Sequence, residues 1–254
     1  MKNKMYKNRI CSCLLAGVMI FSLSACGKSD DNGNLSVPIQ TESSLQSVDS
    51  TNNNETIVTD GQNGAIQNNN TGESENRILI AYFTAAENSG VDAIASASYT
   101  TIGGEAVGRV RAVADMIQAQ TGGDLFSIQT STVYPADGGE LIDQAADEQN
   151  DDFRPELTSH IENLDEYDVI FVGYPNWWYD MPMVMYSFFE EYDFSGKTII
   201  PFNVHNGSRF SSTISTIREL EPDASVVEDG FTVSERSVAD AEEDVQAWLS
   251  GLGY

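Results

Sequence analysis

The chain has 254 residues, of which 13 are Lys or Arg and 39 are Asp or Glu, for a formal charge of −26. So acidic a balance argues strongly against nucleic-acid and anionic-lipid partners, whose phosphates need clustered Lys and Arg. Two histidines exclude a three-histidine zinc site, and three cysteines confined to the first 26 residues exclude disulfides, thiolate nucleophiles and thiolate metal sites beyond them.

Residues 1–9 carry Lys2, Lys4, Lys7 and Arg9 with no acid, and an apolar run from Ile10 to Leu23 follows that is too short to span a bilayer. This layout predicts a secretory signal peptide over residues 1–25. Leu23-Ser24-Ala25-Cys26 resembles the lipobox of bacterial lipoproteins. That resemblance implies cleavage before Cys26, lipidation of its sulfur, and an extracytoplasmic protein whose contact with the cell membrane is the lipid anchor alone. Two acyl chains, at ~0.8 kcal/mol per buried methylene, suffice for stable anchoring. Of the 49 residues from Gly27 to Glu75, 30 are Asn, Ser, Thr, Gln or Gly and none is aromatic. Such a composition cannot offset its ordering entropy, so residues 26–75 are expected to be a disordered tether with a reach of about 40 Å.

From residue 76 to 254 strand and helix patterns alternate. Ile78–Phe83 reads as a strand covered on both faces, and Asp124–Gln129, Tyr167–Gly173, Lys197–Val204 and Gly230–Val233 read as further strands. Val107, Val110, Ala114 and Ile117 recur at helical spacing, with Thr121-Gly122-Gly123 as the stop. Further helices are predicted over Leu141–Glu148, from Pro182 to Tyr192, over Ser208–Leu220, and after Ser237, where Asp240, Glu242 and Glu243 favour the positive end of the dipole. Strict alternation implies right-handed crossovers and an α/β fold, a three-layer α/β/α sandwich around a five-stranded parallel sheet. Ligands of such sheets bind beyond the carboxyl ends of the strands, so the loops after Phe83, Gly173 and Val204 are the ones to inspect.

Those loops resemble a flavodoxin. The similarity lies in ILIAYFTAAENS, TGGDLFSI, YPAD followed by NDDFRPEL, YDVIFVGYPNWWYDMP, and the closing VADAEEDVQAWL, all in family order. It implies strand order 2-1-3-4-5 and FMN as cofactor. Thr84, Ala85, Ala86, Glu87, Asn88 and Ser89 stand where the family holds the phosphate, with hydroxyls and backbone N–H groups. The usual Ser/Thr-x-Thr-Gly-x-Thr pattern is broken there, so Glu87 has to turn outward, and Thr100 or Thr101 is expected to return to the cradle.

Pro175, Asn176, Trp177, Trp178 and Tyr179 form the expected ring-binding loop, with Trp177 and Trp178 as the stacking platform and Asn176 at the ring edge. His205, Asn206 and Gly207 make the opposite loop, where Gly207 brings amides to the ring and His205 is either a proton relay or a hydrogen-bonded structural residue. Tyr134-Pro135-Ala136-Asp137 is a third candidate wall; Asp147, Glu148, Asp151 and Asp152 read as a solvated face, and His160 as a surface residue.

The resemblance thus implies a monomeric electron carrier that needs no catalytic side chain, serving redox partner proteins or small electron acceptors. Two alternatives stay open: a binding lipoprotein that kept the fold without the flavin, and an NAD(P)H- or quinone-type FMN reductase. A receiver-type signalling domain would need an aspartate where Tyr174-Pro175 stands, and a serine hydrolase a Gly-x-Ser-x-Gly elbow, which is missing.

Overall fold

The computed structural model describes residues 77–89 and 98–254. The signal peptide, Cys26 and the tether lie outside the described residues. In chain order the elements are β1 (Ile78–Tyr82), α1 (Ala85–Ser89), β2 (Tyr99–Ile102), β3 (Glu105–Gly108), α2 (Arg109–Thr121), β4 (Asp124–Ser127), α3 (Gly138–Asn150), β5 (Val169–Pro175), α4 (Met183–Glu191), β6 (Thr198–His205), α5 (Thr213–Leu220), β7 (Ser225–Val226), β8 (Phe231–Ser234) and α6 (Glu242–Leu252).

The main sheet runs β4-β1-β5-β6, with β7 and β8 both pairing β6, and every pairing in it is parallel. This is the expected 2-1-3-4-5 order, with the fifth position split in two. Pro201, which has no N–H to donate, stands on β6 at the gap between β7 and β8, where the ladder stops.

Alternation along the strands divides the core. Leu79, Ala81, Ile170, Val172 and Tyr174 face one layer with Leu141 of α3, Val184 and Phe188 of α4, and Ile217 of α5. Ile80, Tyr82, Val169, Phe171, Phe202 and Val204 face the other, against Val110, Val113 and Ile117 of α2 and Val245 and Leu249 of α6. Each fully buried large apolar side chain contributes about 1.5–3 kcal/mol. Gly173 on β5 is fixed by this packing, because a Cβ there would come within 2.1 Å of the Phe202 ring.

Several predicted boundaries change. Val107 is not helical: Gly103 and Gly104, both at positive φ, make a two-residue turn that pairs Thr100 with Val107 in an antiparallel hairpin. α2 therefore starts only at Arg109. The stretch read as the Thr84–Ser89 loop is wound into the short helix α1. Ser237 opens a single 3-10 turn without a side-chain cap, so α6 begins later, at Glu242. The helix predicted from Ser208 starts at Thr213, because Arg209 and Ser211 lie at positive φ.

Candidate functional site

The carboxyl ends of β5 and β6 bound a cleft of about 380 Å³, lined by Asn176, Trp178 and Tyr179 on one side, Asn206, Gly207 and Ser208 on the other, and Ile142 of α3. The aromatic wall is a two-residue hairpin turn. Trp177 N–H donates to the Asp180 carbonyl (2.8 Å) and Asp180 N–H returns to the Trp177 carbonyl (3.0 Å). Its two central residues, Trp178 (φ 50°) and Tyr179 (φ 65°), occupy the left-handed region that such turns reserve for Asn-Gly. Holding large L-residues there costs about 1–3 kcal/mol each, and strain of this kind clusters where side chains serve a ligand. The surroundings hold the turn in place. The Asp180 carboxylate accepts from Met181 N–H and from the Tyr186 hydroxyl (2.8 Å each), and the Gln149 side-chain amide donates to the Trp177 carbonyl (2.9 Å).

The three rings part company. Trp178 is 50 % exposed, its indole N–H donating to the Ile142 carbonyl (2.7 Å), and Tyr179 is 70 % exposed. Trp177, expected in the platform, is 1 % exposed and packs edge-on against Phe83 and Tyr134 at 5.8 and 5.5 Å between centroids. The turn reverses the chain between Trp177 and Trp178, so one ring enters the core while its neighbours face the cleft. Pro175 is the buried end of β5. Asn176 is buried beneath the cleft: its N–H donates to the Val204 carbonyl (2.9 Å) and its side-chain amide to the Arg209 carbonyl (2.8 Å), while Oδ1 has no partner.

The opposite wall is equally fixed. Asn203, at the buried end of β6, donates to the same Arg209 carbonyl (2.9 Å) and accepts from the Thr232 hydroxyl (2.6 Å). His205 is 8 % exposed and its Nδ1 accepts the Gly207 N–H (2.8 Å), which makes it neutral with its proton on Nε2 and favours the structural reading over the relay. It also removes the Gly207 amide from the set available to a ligand. Burial pushes the His205 imidazole below its usual 6.5, Arg209 adding to the effect and Glu235 opposing it. As pH falls below about 6.5 the unfolded chain therefore takes up a proton that the folded one refuses. Stability is expected to decline from there until the folded pKa is passed, and to level off below it. Urea unfolding of the wild type between pH 7.5 and 5 should show this decline, and His205→Asn should flatten it.

The β1 end differs most from expectation. Thr84 is fully buried, and its hydroxyl donates to the Ser98 carbonyl, at 3.4 Å. Ala85 and Ala86 are buried in α1, and Ser89 ends that helix. Asn88 is absorbed by the scaffold: its amide donates to the Thr84 and Ile128 carbonyls (3.1 and 3.2 Å) and its Oδ1 accepts from Thr130 N–H (2.9 Å). Glu87 turns to Arg111 (3.4 Å), the Tyr82 hydroxyl (3.1 Å) and Ser127 Oγ, so its charge is compensated. Burial and the nearby Glu87 carboxylate push the Tyr82 phenol up to about 12, which keeps it a neutral donor. Thr100 and Thr101 do not return to this loop. They pair with Val107 and Ala106 across the hairpin, and among the described residues neither forms a hydrogen bond to Thr84–Ser89. Ser98 meets Thr84 instead, through its backbone carbonyl.

The sequence profile of the flavodoxin family matches residues 99–252, more than half of the chain. The chain belongs to that family. No curated protein matches it. Among solved structures, a candidate flavoprotein from Bacteroides eggerthii is 28 % identical, with a TM-score of 0.54 over 70 % of this chain and 98 % of its own. A second, from Bacteroides uniformis, is 26 % identical over 66 % of this chain and 98 % of its own (TM-score 0.49). A Lactobacillus acidophilus flavoprotein in complex with FMN is 18 % identical over 66 % and 99 % (TM-score 0.46).

Some residues of this flavodoxin-family site could not be found in the sequence. Ile142 lines the cleft only because α3 packs beside the aromatic turn, and Ser208 only because His205 fixes the course of its loop. Tyr134 is core rather than wall, and Asp137 caps α3 through Gly139 N–H (2.9 Å) and Glu140 N–H (3.1 Å). Glu148 leaves the predicted solvated face: it is 7 % exposed, accepts from the Tyr134 hydroxyl (3.2 Å) and Gln144 (3.0 Å), and burial raises its pKa. Asp147, Asp151 and Asp152 remain exposed, and His160 lies at the surface beside Glu191 (2.7 Å). Among the described residues no His, Cys, Asp or Glu cluster could hold a metal ion, and no helix is long and apolar enough to cross a membrane.

Proposed function

We propose that this chain is an FMN-binding electron carrier, held outside the cytoplasm by a lipid on Cys26. The observation that carries the reading is the cleft, where two exposed aromatic rings on a strained turn face a loop with backbone N–H groups at Asn206 and Ser208. The fit of a flavin can be tested on one orphaned atom. Asn176 Oδ1 is a buried acceptor without a donor, a state that costs about 1–3 kcal/mol. The pyrimidine edge of a flavin carries an N–H between two carbonyls, and that N–H is the kind of donor this acceptor lacks. Trp178 and Tyr179 supply the apolar face.

Bound there, the flavin would supply one- and two-electron transfer. The side chains orient it, exclude water from one face and, being electron-rich, disfavour added negative charge on the ring. The segment from residue 76 carries 8 basic and 31 acidic residues, which acts in the same direction and steers cationic partners toward the protein. Family membership and the cleft support this reading; the lipobox-like Cys26 supports the anchor.

The full chain mixed with FMN is expected to give a yellow stoichiometric complex with quenched flavin fluorescence. In cells fed labelled fatty acid, the label should enter the protein and be lost in Cys26→Ala. No complex at micromolar FMN would overturn the cofactor and favour a flavin-free binding protein, and an unlabelled wild type would overturn the anchor.

A further inference from the structure

We infer that Tyr186 is a positioning residue of the ring site: its hydroxyl, acting through the Asp180 carboxylate, holds the aromatic turn in the form that presents Trp178 and Tyr179 to a flavin. This rests on the flavin reading above and names what sets the grip of that same cleft. The turn needs outside support, because Trp178 (φ 50°) and Tyr179 (φ 65°) both occupy a region that large L-residues disfavour. Its entry is secured by the buried Trp177 and by Gln149, which donates to the Trp177 carbonyl (2.9 Å). At the exit, the Asp180 carboxylate serves two donors. One, Met181 N–H, is its neighbour in the chain. The other is the Tyr186 hydroxyl at 2.8 Å, and this bond joins the turn to α4.

Tyr186 is itself held in place. The Arg154 guanidinium lies over its ring, 5.1 Å from the centroid, and is fixed in turn by Asp152 (2.7 Å) and Glu190 (2.9 Å). Burial and the bond to Asp180 push the Tyr186 phenol up, with Arg154 opposing, so it stays a neutral donor to the carboxylate. The arginine of NDDFRPEL thereby acts on the site although it does not line the cleft. The consequence for binding is one of populations. A protein whose turn relaxes for part of the time binds its ring more weakly, in proportion to the fraction that keeps the competent form. Deleting the Tyr186 hydroxyl should therefore weaken binding while every atom that lines the cleft is retained.

The test uses the full chain freed of flavin, as wild type and as Tyr186→Phe, titrated with FMN and with riboflavin under fluorescence detection. The variant should raise the FMN Kd by roughly tenfold, the scale of a hydrogen bond to a charged group. Riboflavin, which has the same ring without the phosphate, should weaken by the same factor. Support of a strained turn also predicts a remedy. A glycine suits the left-handed position of Tyr179, so in a Tyr179→Gly background Tyr186→Phe should raise the Kd by no more than about twofold. A merely structural bond would instead lower the urea midpoint and leave both affinities of the folded protein unchanged. A second arm needs no flavin. Trp177→Phe with Trp248→Phe leaves Trp178 as the only tryptophan, and adding Tyr186→Phe should increase the nanosecond depolarisation of its fluorescence. Unchanged affinities in Tyr186→Phe, the same loss in the Tyr179→Gly background, or unchanged depolarisation each overturns the Tyr186 assignment and leaves the ring site standing. Failure of wild type to bind either flavin removes the flavin reading, and the depolarisation then decides alone whether Tyr186 holds the turn.

Discussion

Trp177→Ala is expected to lower the stability of the folded domain by about 3–5 kcal/mol, measured as a shift of the urea unfolding midpoint. The ring is 1 % exposed and sits between Phe83 and Tyr134, so its removal leaves a cavity that three neighbouring elements cannot close. The edge-on contacts add about 0.5–1.5 kcal/mol each beyond the buried area. Trp177→Phe separates packing from polarity. It keeps an aromatic ring and deletes an indole N–H that is buried without a partner, so it should cost far less. If Trp177→Ala melts like wild type but loses flavin, the ring belongs to the ligand and the burial argument fails.

The neighbouring pair should behave in the opposite way. Trp178→Ala combined with Tyr179→Ala is expected to leave the unfolding midpoint within about 0.5 kcal/mol of wild type, as exposed positions usually do. The same variant should raise the FMN Kd by about 10- to 100-fold, the scale of two lost stacking contacts. Both side chains are at least half exposed and contribute little to the core. Fluorescence titration of the variant against wild type measures the effect, and an unchanged Kd would move the ring site elsewhere.

How far the sequence carries depends on whether a feature is periodic. The layer arrangement was legible because the buried strands are solid apolar runs, VIFVGYP most of all, and because each is followed by a helical pattern. The strand order followed from resemblance. The hairpin β2–β3 was hidden by its own composition, since Val107 fits the helical spacing of Val110 and Ala114 as well as it fits a strand. Only the paired glycines at 103 and 104 argue for the turn.

In the site, the prominence of the Trp-Trp pair was readable from residue type, but which indole is buried was not. That depends on a left-handed turn at two residues that sterics disfavour there. Glu87 could be read only as a charge in an awkward place, because its partners Arg111 and Ser127 lie 24 and 40 residues away. Ser98 gave no signal at all. A serine before a strand is common, and its contact with Thr84 joins residues 14 apart.

The carbonyl of Arg209 ties the site together in one further respect. It receives the amides of both Asn176 and Asn203, and Asn203 is itself held by Thr232, so the ends of β5, β6 and β8 share one brace. A cleft built on such a joint does not hinge at its floor, because moving any one strand end would break bonds to the other two. The aromatic turn is pinned as well, by Gln149 and Tyr186 at its base and by Ile142 at the Trp178 indole, so the cleft stands between two fixed walls.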